Sequence, residues 1–208
     1  MRPERKLLIS IILIWLFNVS GIIGILIGYK DWFLALTPLN LLVYLGLILW
    51  NSTKRKSLII GLLIPFTMGM ITEYLGVNYG LIFGQYQYGD NLGTKMLGVP
   101  WIIGVNWALL VYCTGAISKK IHTNVIVASF IGAILMVALD VIIEVSAPRF
   151  DFWEFKNGVV PLQNYVGWFV IAFIAHLLFQ KVIKTLQYMV SIHIFIAIFI
   201  FFTTFLFF

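Results

Sequence analysis

Charge is what this chain has least of. Only 11% of its 208 residues are Asp, Glu, Lys or Arg while 62% are hydrophobic, against about 25% charged in an ordinary soluble domain. A buried core cannot absorb that excess, so the composition points to an integral membrane protein. Cysteine is almost absent. Cys113 stands alone, which excludes an intrachain disulfide framework and an all-cysteine metal site; within an apolar run it reads as a small core filler. Linkers of Gly, Ser or Pro and internal repeats are missing too, so a single integral membrane domain over 1–208 is expected. The final apolar run has no lysine, the last being Lys184. A retinal receptor would need one there for its Schiff base. The net charge of +6 lies between the apolar runs rather than in a patch. It reads as membrane orientation, with no nucleic-acid partner.

What is present is apolar length. Runs near the ~20 residues that cross a bilayer fall at about 7–28, 32–50, 57–75, 100–118, 122–146, 161–180 and 186–207. They predict an all-α, polytopic transmembrane bundle of about seven helices. The first run follows Arg2, Arg5 and Lys6 and reads as an uncleaved anchor. Pro38 and Pro65 fall inside the second and third runs, where neighbouring helices can absorb a kink.

Ten of the fourteen Lys and Arg residues lie in 1–6, 51–57, 118–122 and 181–184, alternating with segments that hold Lys30, Lys95, Arg149 and Lys156. The excess of basic residues on one side predicts a cytoplasmic N-terminus in the cell (inner) membrane. Seven of the eight acids then fall toward the outer side.

Three of those acids, Glu73, Asp140 and Glu144, sit inside apolar runs. An Asp at a helix centre costs about 2.5–3.5 kcal/mol on insertion scales, and burial favours its protonated form. A neutral carboxyl beside a greasy substrate is a proton donor. At 1.5 Å per residue the three lie roughly 24, 27 and 33 Å from the inner ends of their runs, all near the outer edge of the hydrocarbon. Asp140 and Glu144, four residues apart, share one helix face. Two long outer connections, 76–100 and 145–161, are rich in aromatics and are expected to pack as a lid; Tyr79, Tyr86, Tyr88 and Trp153 are candidates to stabilise a cation with their faces. Asn18, Asn40 and Asn106 read as hydrogen-bond glue between helices, with Asn164 balanced between that role and the site. His176 and His193 read as packing residues, and Arg149 as half of a loop ion pair.

The order Glu73-Tyr-Leu-Gly-Val-Asn-Tyr-Gly-Leu-Ile-Phe-Gly-Gln-Tyr-Gln-Tyr88, Leu97-Gly-Val-Pro-Trp101, Asp140-Val-Ile-Ile-Glu144, Pro148, Phe152-Trp153 and Gly158-Val-Val-Pro-Leu-Gln-Asn164 leading to Gly167-Trp168 resembles the carotenoid biosynthesis membrane proteins of the CruF type. The resemblance covers about residues 70–170. It implies a hydratase, a carbon–oxygen lyase that adds water to the terminal double bond of an acyclic carotenoid end through a tertiary carbocation. Under that implication Glu73, Asp140 and Glu144 are catalytic; either Asp140 or Glu73 is the acid and Glu144 its partner. Tyr79, Tyr86, Tyr88, Trp153, Asn164 and Trp168 meet the substrate. Such a reaction needs neither metal nor redox cofactor. Its partners are the carotenoid, arriving from the lipid phase, and water; other carotenoid biosynthesis enzymes are further candidates. The competing expectations are an end-group cyclase or isomerase and a non-catalytic carotenoid-binding membrane protein.

Overall fold

The computed structural model describes residues 2–208. Every apolar run is helical. The helices are α1 (Pro3–Leu26), α2 (Lys30–Ala35), α3 (Thr37–Asn51), α4 (Arg55–Tyr79), α5 (Trp101–Ile121), α6 (Val125–Ser146), α7 (Leu162–Val182) and α8 (Tyr188–Thr204). Five of them, α1, α4, α5, α6 and α7, are long and apolar enough to cross a membrane, and α3 and α8 are shorter apolar helices. Together they make an all-α membrane bundle.

The second run departs from expectation. It is two helices, because Pro38 occupies the first turn of α3 rather than a helix interior. A proline there loses no hydrogen bond the helix needs, so the break falls at Leu36 and no kink forms. Pro65 does lie inside α4. Asn124 starts α6 by accepting from the backbone N–H of Ile126 and Val127 at 2.9 and 3.3 Å, satisfying donors that a helix start leaves open.

α5 is the central post. It packs against α3, α4, α6, α7 and α8, and its side chains from Ile102 to Ser118 are buried nearly without interruption. The outer helices keep a lipid-compatible face: Ile12, Leu16 and Ile23 on α1, and Ile60 and Leu63 on α4, are exposed.

The two aromatic connections do form a joined cover. β1 (Tyr86–Tyr88) from the first pairs antiparallel with β4 (Trp153–Phe155) from the second, in register Tyr86↔Phe155 and Tyr88↔Trp153. β2 (Lys95–Met96) and β3 (Val99–Pro100) make a small hairpin beside them. The β1–β4 seam continues as Gly89 N–H to Phe152 O at 3.0 Å and Lys156 N–H to Gln85 O at 2.9 Å. Asp151 Oδ2 accepts from Asp90 N–H, and Asn91 Nδ2 donates to Phe150 O, both at 2.8 Å. Gly89 allows this approach, since a Cβ there would stand 2.3 Å from the Asp151 carbonyl oxygen.

Candidate active site

Glu73 lies six residues before the end of α4, and Asp140 and Glu144 lie six and two before the end of α6, while Asn164 and Trp168 open α7. These helix ends meet under the β1–β4 cover. All three carboxyls are buried, with 3, 3 and 6% of their surface exposed. Glu144 is therefore no interfacial group wetted by solvent.

Each carboxyl has a different setting. Glu73 Oε2 accepts from the hydroxyls of Tyr86 at 2.5 Å and Tyr88 at 2.6 Å, and Oε1 accepts from Trp107 Nε1 at 3.0 Å. Both oxygens are occupied. Asp140 and Glu144 share one amide: Asn164 Nδ2 donates to Asp140 Oδ2 at 3.0 Å and to Glu144 Oε1 at 3.2 Å. Trp153 Nε1, from β4, donates to Glu144 Oε2 at 3.0 Å. Asn164 thus belongs to the site, a hydrogen-bonding bridge between two acids one turn apart. Burial holds the phenols of Tyr86 and Tyr88 above the usual tyrosine range, and the Glu73 charge beside them adds to the effect.

Around the acids stands an aromatic wall. Trp107 and Trp168 stack with centroids 4.3 Å apart. Phe83 lies 6.3 Å from Trp107 and 6.1 Å from Trp168, and Tyr86 lies 5.1 Å from Phe155. Small residues let the wall close: a Cβ on Gly76 would stand 2.6 Å from the Tyr86 hydroxyl, and one on Gly167 would stand 2.4 Å from the Ile82 carbonyl oxygen.

Inside the wall is a cavity of about 20 Å³, lined by Glu73, Glu144, Asn164, Tyr86, Trp153 and Trp168 among others. That is room for a single water, which needs about 10–15 Å³ on the same measure. Asp140 is not part of its lining and reaches it only through Asn164 and Glu144. Among the described residues no three acids, histidines or cysteines gather closely enough to hold a metal ion. Glu73 and Glu144 face a space rather than a point. A second cavity of about 210 Å³ lies between α1, α3, α5 and α8 and shares Ile103, Asn106 and Trp153 with the first. Its lining is mostly apolar, and it includes exposed side chains at its mouth, Phe17, Trp32 and Leu39.

Several expected roles change. Tyr79 is not at the site: its side chain is 61% exposed and its hydroxyl meets that of Tyr74 at 3.3 Å. It stands six residues beyond Glu73, roughly 240° round the helix at about 100° per residue, and so faces away. Among the described residues Arg149 pairs with no Asp or Glu side chain; its guanidinium donates to Ser146 Oγ and to backbone oxygens of Phe205 and Phe208, holding the end of α8. Asn106 lines both cavities. Trp107 was not legible as a site residue, although an indole N–H deep in a span needs an acceptor and Glu73 is a natural one. His176 is fully buried against Thr114 Oγ1 at 3.0 Å, and His193 accepts from Trp15 Nε1 at 3.0 Å. Both match the packing role.

The sequence profile described as "Carotenoid biosynthesis protein" matches residues 31–208. The chain belongs to the carotenoid biosynthesis protein family. The match takes in all the residues of the site. A curated relative, the bisanhydrobacterioruberin hydratase of Haloarcula japonica, is 29% identical over 137 residues, which is 61% of this chain and 45% of the relative. The chain thus spans less than half the length of that family relative. No solved structure matches it.

Proposed function

We propose that this chain is a carotenoid hydratase, which adds water across the terminal C=C of an acyclic carotenoid end to give a tertiary alcohol. The observation that carries the reading is the pairing of two spaces. A water-sized cavity faced by Glu73 and Glu144 abuts a larger apolar cavity sized for one end of a chain, not for a whole carotenoid. The exposed mouth at Phe17, Trp32 and Leu39 would admit that end sideways from lipid.

The chemistry follows from the hydrogen bonds. Two acids one turn apart in a low-dielectric site do not both ionise cheaply, so Asp140 and Glu144 hold a proton between them. Glu144, which lines the cavity, delivers it to the terminal alkene. The π pair becomes a C–H bond and the neighbouring carbon a tertiary cation. Glu73, with three donors on two oxygens, is placed to keep negative charge beside that cation, and the faces of Trp153 and Trp168 stabilise it further. The cavity water attacks through oxygen, and the proton it sheds returns to the Asp140–Glu144 pair. One water is consumed, with no change of oxidation state overall and no call for a cofactor.

On this reading the N-terminus is cytoplasmic and the site lies near the outer leaflet, which the basic flanks support. Single cysteines at the exposed positions Thr94 and Asn157, in a Cys113→Ala background, should react with a membrane-impermeant reagent on intact cells. Reaction only after lysis would move the chemistry to the cytoplasmic side. For the reaction itself, expression in a strain that accumulates an acyclic carotenoid should yield pigment heavier by the mass of one water per end. A product of unchanged mass would indicate a cyclase or isomerase, and untouched pigment would indicate a binding protein.

A further inference from the structure

From Ile102 to Ser118 every residue of α5 is buried except Asn106, in its second turn, which is half-buried. α5 is enclosed by five other helices, so that uncovered surface opens to internal space. Asn106 and Ile103, one turn before it, line both the water-sized cavity and the larger apolar one. The side-chain hydrogen bonds of α5 are made by Trp107, Tyr112, Thr114, Ser118 and Lys119. Among the described residues the Asn106 amide has no partner. Helix glue would be bonded across to a neighbour, as Asn18 is to the Ala197 carbonyl.

The other donors around the smaller cavity are committed to carboxyls. Tyr86 and Tyr88 give their hydroxyl protons to Glu73, and Trp153 gives its indole N–H to Glu144. The Asn164 amide divides its two N–H between Asp140 and Glu144. A water in this space therefore meets carboxyl oxygens that accept its protons and one uncommitted donor, the NH₂ of Asn106. Buried water is held by about three hydrogen bonds. An amide N–H on one lone pair stops the water from turning and leaves the other lone pair free to attack. Such orientation turns a nearby water into a reactive one. We propose that Asn106 holds the attacking water at the junction of the two cavities, and so decides whether the tertiary cation becomes alcohol or returns to alkene. The inference rests on the hydratase reading for the cation itself. With the water held, its oxygen lone pair forms the C–O bond and its proton passes to the Asp140–Glu144 pair. Without it, a C–H pair beside the cation collapses back into the double bond, and that proton returns to the same acids.

The test separates protonation from water capture. Asn106→Leu keeps the side-chain volume and removes the amide; no hydrogen bond within the protein is lost, so the melting temperature in detergent should hold. Membranes carrying each variant are incubated in heavy water with an acyclic carotenoid, and alcohol and recovered alkene are analysed by mass. In the unaltered chain, deuterium should appear mainly in the alcohol. In Asn106→Leu the alcohol should fall about 10-fold or more, in line with the loss of one or two net hydrogen bonds. The recovered alkene should then carry more deuterium than in the unaltered chain, because protonation continues and the cation returns. Glu144→Gln, which lacks the acid, should lose alcohol and deuterium together. Independently of turnover, a crystal structure that shows ordered water should place one at hydrogen-bond distance from the Asn106 amide nitrogen. That measurement on the unaltered chain stands whatever the variant does to folding. Normal hydration by Asn106→Leu, loss of alcohol and deuterium in step, or a cavity with no water at Asn106 would each overturn the proposal. An ordered water at Asn106 in a chain that hydrates no pigment would sink the hydratase reading and leave the water site standing.

Discussion

Glu73 and the Asp140–Glu144 pair lie under the same cover at the same end of the bundle, yet they are held in opposite ways. Glu73 is saturated by Tyr86, Tyr88 and Trp107, donors from two different elements. The pair has to divide one amide between two acids, with Trp153 as its only other donor. Glu73, with three bonds on two oxygens, is fixed in place; the pair, with three bonds on four oxygens, is suited to pass a proton on. Burial alone does not distinguish a working acid from a fixed one. The count and origin of the donors do.

The largest effects should fall on the pair. Asp140→Asn and Glu144→Gln should each lower hydration by about 100-fold or more, in the range that general acid–base groups contribute, since an amide cannot supply the proton. Pigment conversion per unit of membrane-inserted protein measures this; Asp140→Asn, whose carboxyl has one oxygen without a donor, should keep a thermal stability close to that of the unaltered chain. Wild-type conversion in Asp140→Asn would reduce the pair to Glu144 alone.

Glu73→Gln should behave differently, losing stability and rate together. The Gln side chain keeps one acceptor oxygen but turns an NH₂ toward donors, leaving a buried donor unpaired at a cost of about 1–3 kcal/mol. A lowered melting temperature in detergent is the signature. An unchanged one would erase the contrast between the two settings.

The phenols sharpen the comparison from the other side. Burial, and next the Glu73 charge, raise Tyr86 and Tyr88 above the ordinary tyrosine value. The folded state then keeps protons that the unfolded state would release above pH ~10. The stability they contribute is fully present below that pH and should fall by up to about 1.4 kcal/mol per pH unit per tyrosine above it. In an alkaline titration read by the phenolate band, Tyr86 and Tyr88 should be among the buried tyrosines that ionise only on unfolding. The Tyr86→Phe/Tyr88→Phe double variant should show two fewer delayed ionisations and a shallower alkaline loss.

The smallest effect belongs to the cover's rim. Lys95 pairs with Asp90 at 2.9 Å, but the Asp90 side chain is 95% exposed. Lys95→Met should change stability by no more than about 1 kcal/mol, as judged by the melting temperature.

Much of this arrangement was legible in the sequence because a bilayer imposes simple rules. Each apolar run became helix, and helix rise alone placed Glu73, Asp140 and Glu144 at one level. Shared spacing also joined Asp140 to Glu144, as the Asn164 bridge bears out. Sequence reasoning failed where side-chain azimuth or tertiary closure decides. Tyr79 reads in sequence like Tyr86 and Tyr88, one aromatic among several in one connection, but it belongs to α4 and points away. Trp107 meets Glu73 across 34 residues, a distance no local pattern spans. The larger cavity exists only where α1, α3, α5 and α8 are brought together. Asn18 does act there as helix glue, donating from α1 to the Ala197 carbonyl of α8 at 2.7 Å.

The claim that Asp140 and Glu144 act as one proton-holding unit is tested most directly by hydration rates of Asp140→Asn, Glu144→Gln and the double variant, measured side by side. Groups that act as a unit are strongly non-additive, so the double variant should be no slower than the slower single. A double variant whose loss equals the product of the two single losses would show two independent groups and contradict the account.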